Sequence, residues 1–167
     1  MLILVDVPSQ TLRLQDDGGR VLLETRIASG RNGVGEVNGS EQTPRGWHKV
    51  RAKIGAGQPA NAVFVARRPT GELYTPEMRG AYPGRDWILT RILWLSGLEP
   101  GKNRLGNVDT MRRFIYIHGC PDDDPMGVPS SRGCIKMRIV STLPRRFLPG
   151  SRPESHRMRV RIQSRPG

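Results

Sequence analysis

Phe114-Ile115-Tyr116-Ile117-His118-Gly119-Cys120, followed by Ser130-Ser131-Arg132-Gly133-Cys134-Ile135-Lys136-Met137, is the pair of segments on which the reading of this chain turns. A β-favouring run delivers a histidine to a strand end, and Gly119 lets the chain turn away at once. Pro121, the aspartates Asp122 to Asp124, Pro125, Gly127 and Pro129 then spell a loop that returns to a glycine, a cysteine and a second apolar run. A thiol near neutral pH needs a base within hydrogen-bond reach to act as a nucleophile, and imidazole is the usual one. The chain holds three histidines and two cysteines, so few other pairings compete. Gly133 permits a tight backbone whose N–H, with that of Cys134, can point at one carbonyl oxygen as negative charge develops there. Taken singly, a cysteine beside glycine is an ordinary small core residue and a histidine near a strand an ordinary hydrogen-bonder. Their shared context points instead to cysteine acyl transfer.

Outward from these segments the pattern is that of a single β-rich domain. Leu2 to Val5 is strand-like, Leu12 and Leu14 alternate with polar neighbours, and Asp16-Asp17-Gly18-Gly19 marks a hairpin turn into a strand over Arg20 to Ile27. A glycine-rich loop runs from Ser29 to Thr43; it lacks the Gly-Lys-Ser/Thr ending of a phosphate cradle and reads as a connection or cleft wall. Strands are expected over Trp47 to Ile54, Ala62 to Arg67 and Arg157 to Gln163, with Trp87 to Leu95 as the central strand. The helical windows are Pro76 to Ala81 and Met137 to Phe147, the second interrupted by Pro144. His48 and His156 stand alone among basic or polar residues and receive no catalytic role.

Composition bounds the rest. Fourteen prolines and twenty glycines in 167 residues favour a loop-rich β fold, and the length suits one domain with a real core. The formal charge of +12 favours anionic partners. Aromatic content is only 5% and no nucleic-acid motif is present, so nucleic acid is not the expected partner. No window approaches the ~20 apolar residues of a membrane span. Met1-Leu2-Ile3-Leu4-Val5 has neither a basic n-region nor a long apolar run, which gives the expectation of a cytoplasmic protein, or a periplasmic one if a leader precedes it.

The pattern His-Gly … Ser-x-Gly-Cys-Ile-basic-Met resembles the signature of the L,D-transpeptidase catalytic domain, also called YkuD-like. Thr43-Pro44-Arg45-Gly46 resembles that family's Thr-Pro-x-Gly turn, and Trp94 to Arg113 resembles a small single-domain branch. The resemblance runs from about Leu2 to Ile162 and implies a mainly β, β-sandwich-like catalytic domain, with a short helix after Cys134. It implies that Cys134 attacks the carbonyl of a diaminopimelate residue in a peptidoglycan stem peptide and expels D-alanine. His118 is then the base, the Gly119 carbonyl orients it, and the N–H groups of Gly133 and Cys134 meet the oxyanion. Ser131, Arg132, Tyr116 and Lys136 complete the expected site; no cofactor or metal is called for. Small signal-less members resembling this chain imply an L,D-carboxypeptidase that trims muropeptides in murein recycling. Periplasmic transpeptidation is the alternative, and a binding module without chemistry a third.

Two positions depart from the common family pattern: Arg132 stands where many members have a second histidine, and Lys136 where arginine or asparagine is frequent. Arginine is no base, but it grips a carboxylate through parallel hydrogen bonds. Arg132 therefore either reads a substrate carboxylate, on terminal D-alanine or on the diaminopimelate side chain, or pairs with a loop aspartate. Tyr116 shares the side of His118 and either faces the cleft or packs in the core. Cys120 leaves three readings: a disulfide with Cys134, a metal site with His118 and a loop aspartate, or a neighbour of the site. No metal-ligand spacing supports the second.

Overall fold

A computed structural model describes residues 1–138 and 158–165. Among them, in chain order, lie β1 (Leu2–Asp6), β2 (Thr11–Gln15), β3 (Val21–Ala28), β4 (Gly46–Ile54), β5 (Ala62–Val65), β6 (Arg68–Leu73), α1 (Pro76–Ala81), β7 (Ile88–Gly97), a 3-10 turn (Gly106–Val108), β8 (Tyr116–Cys120), β9 (Ile135–Arg138) and β10 (Arg159–Gln163). The strands form one sheet in the order β4-β10-β1-β2-β3-β9-β8-β7-β5-β6, and β4 also pairs with β7. That last pairing curls eight strands into a closed ring, with the β5–β6 hairpin hanging from β7. The expected sandwich is thus one sheet wrapped on itself, and closure removes the exposed edges an open sheet would carry.

Alternation along each ring strand fills its interior. Ile3 and Val5, Leu12 and Leu14, Ile27, Val50, Leu93 and Leu95, Ile117, Ile135 and Met137, and Val160 and Ile162 pack with Ile115 and Met158 into one buried cluster. All eight ring strands contribute, as an interior just wide enough for side chains requires. At the β2–β3 hairpin, Asp16 Oδ1 accepts from the N–H groups of Gly18 and Arg20, both at 2.9 Å, which closes the turn expected from Asp-Asp-Gly-Gly. β7 is central, as expected: it pairs β8 on one side and β5 then β4 on the other. Thr90, with φ of 69°, marks the bulge near which its partner changes.

Two differences from the sequence reading stand out. β6 was not expected: Ala66 and Arg67 form a two-residue turn with φ of 48° and 66°, without the Gly or Asn that usually announces such a hairpin. Met137 and Arg138, expected to open a helix, lie in β9, and the rest of that window to Phe147 lies outside the described residues, as does His156. The helix over Pro76–Ala81 is present, opened by Thr75 and Pro76.

Behind β4, a polar latch holds the segment that leads to β8. Buried Asn103 donates to the carbonyls of Arg45 and Trp47 at 2.9 and 3.1 Å, and Glu99 accepts from the Trp47 N–H at 2.6 Å. His48, fully buried, bonds the Gly46 carbonyl through Nδ1 and the Thr110 hydroxyl through Nε2, both at 3.1 Å. Burial pushes the His48 imidazole down from 6.5 to about 4. The unfolded chain therefore binds this proton first, so stability is full above pH 6.5 and drains as pH falls toward 4, by roughly 3 kcal/mol in all. Urea denaturation at pH 7 and near pH 4 is expected to show this loss in wild type and a smaller one in His48→Asn; equal losses would remove His48 as the cause.

Candidate active site

β8 and β9 run parallel, with Ile117 opposite Ile135, His118 opposite Lys136 and Gly119 opposite Met137. Paired residues share a face, and successive residues alternate faces. Ile117, Ile135 and Met137 therefore point into the ring, and Tyr116, His118, Cys120 and Lys136 point out of it. Cys134, two residues before Lys136, joins this outer face. The sequence-predicted base and nucleophile are so brought to one surface of adjacent strands.

His118 is buried, and its Nδ1 donates to the Gly119 carbonyl at 2.7 Å. A carbonyl only accepts, so the proton sits on Nδ1 and the lone pair on Nε2. Burial, partly offset by that hydrogen bond, holds the imidazole below its ordinary value of 6.5 and keeps it neutral. Cys134 is half-buried; its sulfur accepts from the Tyr116 N–H at 3.3 Å and its thiol faces the Phe114 carbonyl at 3.5 Å. Burial pushes the thiol up to about 12, against the opposing Tyr116 N–H, Arg113 and Lys136. The resting pair is thus neutral thiol and neutral imidazole, with no thiolate–imidazolium pair.

The turn that presents Cys134 is braced from three sides. Ser131, buried, takes the Gly133 N–H on its hydroxyl at 3.1 Å and donates to the Cys134 carbonyl. Thr43, of the Thr-Pro-x-Gly turn, donates to the Gly133 carbonyl at 2.9 Å and accepts from the Gly30 N–H at 2.8 Å. Gly133 has φ of 118°, and a Cβ there would lie 3.0 Å from the Gln42 carbonyl oxygen and 3.1 Å from Ile115 Cδ1. Only glycine fits both demands. The Gly133 N–H, expected at the oxyanion, is engaged by Ser131 in this structure.

Arg113, half-buried and not foreseen, ties the neighbouring loop together through Gly35 O at 3.2 Å, Ser40 Oγ at 3.3 Å and Gln42 O at 2.6 Å, and its charge favours thiolate at Cys134. Tyr116 packs its ring with Ala62, Phe64 and Ile92 and accepts from Arg67 at 3.0 Å. Of the two placements the sequence leaves open for Tyr116, the structure shows the packed one, with its backbone N–H at the Cys134 sulfur. Arg67 also lies 5.0 Å from the Trp94 ring and 4.7 Å from Phe114. One arginine among 27 basic residues carries no sequence signal for either role.

On the other side of Arg132 and Lys136 opens a cleft of about 400 Å³, lined also by Arg31, Arg79, Arg85, Asp86 and Asp124. Lys136 Nζ bonds Asp124 at 2.9 Å, and Asp124 also takes Arg79. Burial would raise the Asp124 carboxyl, but Lys136 and Arg79 hold it below the usual range. The Lys136 amine is therefore paired in this structure, and the residue still lines the cleft. Arg132 is exposed; its Nη2 reaches only the Gly84 carbonyl at 3.5 Å, and among the described residues it pairs with no loop aspartate. Cys120 is free and fully buried, its thiol facing the Met137 carbonyl at 3.3 Å. It lies opposite Arg138, four residues beyond the level of Cys134, about 13 Å at 3.3 Å per residue, too far for a disulfide. No group of metal-ligating side chains gathers among the described residues. No helix there is long and apolar enough to cross a membrane.

A sequence profile described as YkuD, L,D-transpeptidase catalytic domain, matches residues 1–150. Among solved structures, a cysteine-to-serine mutant of the Enterococcus faecium L,D-transpeptidase is similar at 17% identity with a TM-score of 0.53, over 97% of this chain and 49% of that one. The L,D-transpeptidase of Xylanimonas cellulosilytica matches at 17% identity and 0.50, over 97% and 59%. That of Mycobacterium smegmatis matches at 16% and 0.50, over 98% and 58%. At these identities the likeness shows the fold, and the chain spans about half to three fifths of those chains' length. No curated protein matches the sequence.

Two outcomes follow from this geometry. Alkylation of Cys134 by iodoacetamide is expected to keep rising with pH toward the thiol's value of about 12, with no plateau near neutrality; a plateau there would reveal a resting thiolate. Gly133→Ala is expected to lower turnover about hundredfold by displacing the nucleophile, with kcat falling more than thermal stability. Retained activity would show that the turn tolerates a side chain.

Proposed function

The chain belongs to the L,D-transpeptidase catalytic-domain (YkuD) family, and on that premise we propose that it is a cysteine L,D-carboxypeptidase that cleaves the diaminopimelate–D-alanine bond of peptidoglycan stem peptides. The observation that carries the reading is the placement of Cys134 and His118 on one face of β8–β9, with the Gly119 carbonyl fixing Nε2 as the basic nitrogen.

Rotation about the Cys134 Cα–Cβ bond turns the thiol from the Phe114 carbonyl toward Nε2. His118 takes the proton as sulfur bonds to the diaminopimelate carbonyl carbon, and the Cys134 N–H meets the oxyanion. Collapse breaks the C–N bond, and the imidazolium gives its proton to the departing D-alanine amine. Water then loses a proton to His118 as it attacks the thioester. The second collapse expels sulfur, which recovers that proton, and the tripeptide leaves as a carboxylic acid. Neutral partners suit this sequence, because proton transfer accompanies attack and no charge is stored in the buried pair beforehand.

Arg31, Arg79, Arg85, Arg132 and Lys136 outnumber Asp86 and Asp124 around the cleft, a balance that suits the carboxylates of a stem peptide. Water is the acceptor in this reading. Soluble muropeptides of wall turnover, met in the cytoplasm, are the substrates this reading favours.

The test is mass spectrometry of a disaccharide-tetrapeptide incubated with wild type or Cys134→Ala, with and without an amine acceptor. Tripeptide and free D-alanine, absent with the variant, are expected. Acceptor-linked product would assign transpeptidation instead, and intact substrate throughout would end the enzymatic reading for this bond. His118→Gln is expected to lower kcat by 10²–10⁴.

A further inference from the structure

Most of the ionic groups lining the cleft are paired among themselves or with neighbours. Arg31 bonds Glu41, Arg85 bonds Glu72, and Arg79 and Lys136 converge on Asp124. Two differ. Arg132 has no carboxylate partner, and Asp86 has neither a hydrogen bond nor an ion pair, among the described residues. Both are exposed, they carry opposite charge, they line the same cleft, and they do not bond each other.

Asp86 is nevertheless held in place. Before it, Arg85 is tied to Glu72 and lies 4.5 Å from the Trp87 ring and 5.5 Å from the Tyr82 ring. After it, Trp87 is buried, edge-on to Tyr74 at 4.9 Å between ring centres. The Gly84 carbonyl, two residues earlier, is what the Arg132 guanidinium touches, so the segments that carry the two charges meet at this cleft. Arg132 is also two residues from Cys134 in sequence.

We propose that Asp86 and Arg132 form a two-point site for an α-amino-acid zwitterion, Asp86 taking the ammonium and Arg132 the carboxylate. An arginine alone reads any carboxylate; an unquenched carboxylate set beside it selects a ligand that carries both charges on neighbouring atoms. Resting on the function proposed above, the ligand is the free end of the diaminopimelate side chain, which is such a zwitterion. A lysine side chain in its place offers the ammonium without the carboxylate. The pair therefore sets which stem peptide enters, and it leaves the chemistry to Cys134 and His118. The field of Asp86 does reach both of those groups, and it opposes thiolate at Cys134.

That opposition supplies a readout a merely structural residue would not move. In Asp86→Asn, iodoacetamide alkylation of Cys134 is expected to hold or rise, while KM for the diaminopimelate tetrapeptide rises about tenfold, the loss of one charge-assisted contact. Arg132→Gln is expected to raise KM similarly for that substrate and to change little for the lysine tetrapeptide, so that the preference of wild type disappears. Equal losses on both substrates would show that Arg132 reads the D-alanine carboxylate and would overturn the proposal. So would alkylation and turnover falling together in Asp86→Asn. If wild type cleaves neither peptide, the functional reading fails separately, and calorimetry on Cys134→Ala decides the site. Binding of a diaminopimelate tripeptide weakened about tenfold by adding Asp86→Asn or Arg132→Gln upholds it, and equal affinity ends it.

Discussion

The parallel pairing of β8 with β9 is the constraint on which the rest of this structure depends. A register with Ile117 opposite Ile135 and His118 opposite Lys136 sends alternate residues to opposite faces. The same ladder that buries Ile117, Ile135 and Met137 in the ring interior therefore delivers His118 and Cys134 to its outside. A one-residue slip would move the apolar set outward and the site inward together. The apolar core and the reactive face are two readings of one register, which is why the site needs few dedicated supports within the strands themselves.

Support is concentrated instead on the turn before β9, where no ladder acts. Thr43 joins Gly133 to Gly30, Ser131 closes the turn on itself, and Arg113 gathers the carbonyls of Gly35 and Gln42 beside it. These residues come from distant parts of the sequence, and what they share is the ability to satisfy backbone groups at a place where the backbone is not in a sheet. The buried latch of Asn103, Glu99, His48 and Thr110 does the same for the segment that feeds β8. It fixes the stretch from Trp94 to Arg113, so distinctive as sequence, whose two ends pack beside Tyr116 and the turn that carries Cys134.

Legibility in the sequence follows the same division. Strands whose alternation faces the ring interior, such as those of Leu12 and Leu14 or Val160 and Ile162, were readable because burial imposes a period of two. The hairpin at Asp16 was readable because its turn chemistry is local. β6 was not, since Ala66-Arg67 enters the left-handed region against its own preference and is held there by tertiary contacts, Arg67 on Tyr116 and the Trp94 and Phe114 rings. At the site, His118, Gly119, Gly133 and Cys134 were visible as a spaced pattern of rare residue types. Arg113 and Asp86 were invisible, because their meaning lies in which charges around them are already paired, and pairing is a property of the folded surface.

That pairing pattern also bears on how a half-buried, neutral thiol comes to react. Burial raises the thiol, and the carboxylate of Asp86 raises it further, while Arg113 and Lys136 pull the other way. In the open cleft Asp86 is exposed and water screens its charge. An ammonium seated on Asp86 cancels its field at Cys134, and it does so while displacing the water that had screened it, so the surviving influence of Arg113 and Lys136 on the sulfur strengthens. On the proposed site, a ligand ammonium thus removes one of the influences that keep the sulfur protonated. Recognition of the ligand and the charge balance at Cys134 then share one residue, Asp86. In the empty site the same balance leaves Cys134 protonated, which protects an accessible nucleophile from alkylation and oxidation between turnovers.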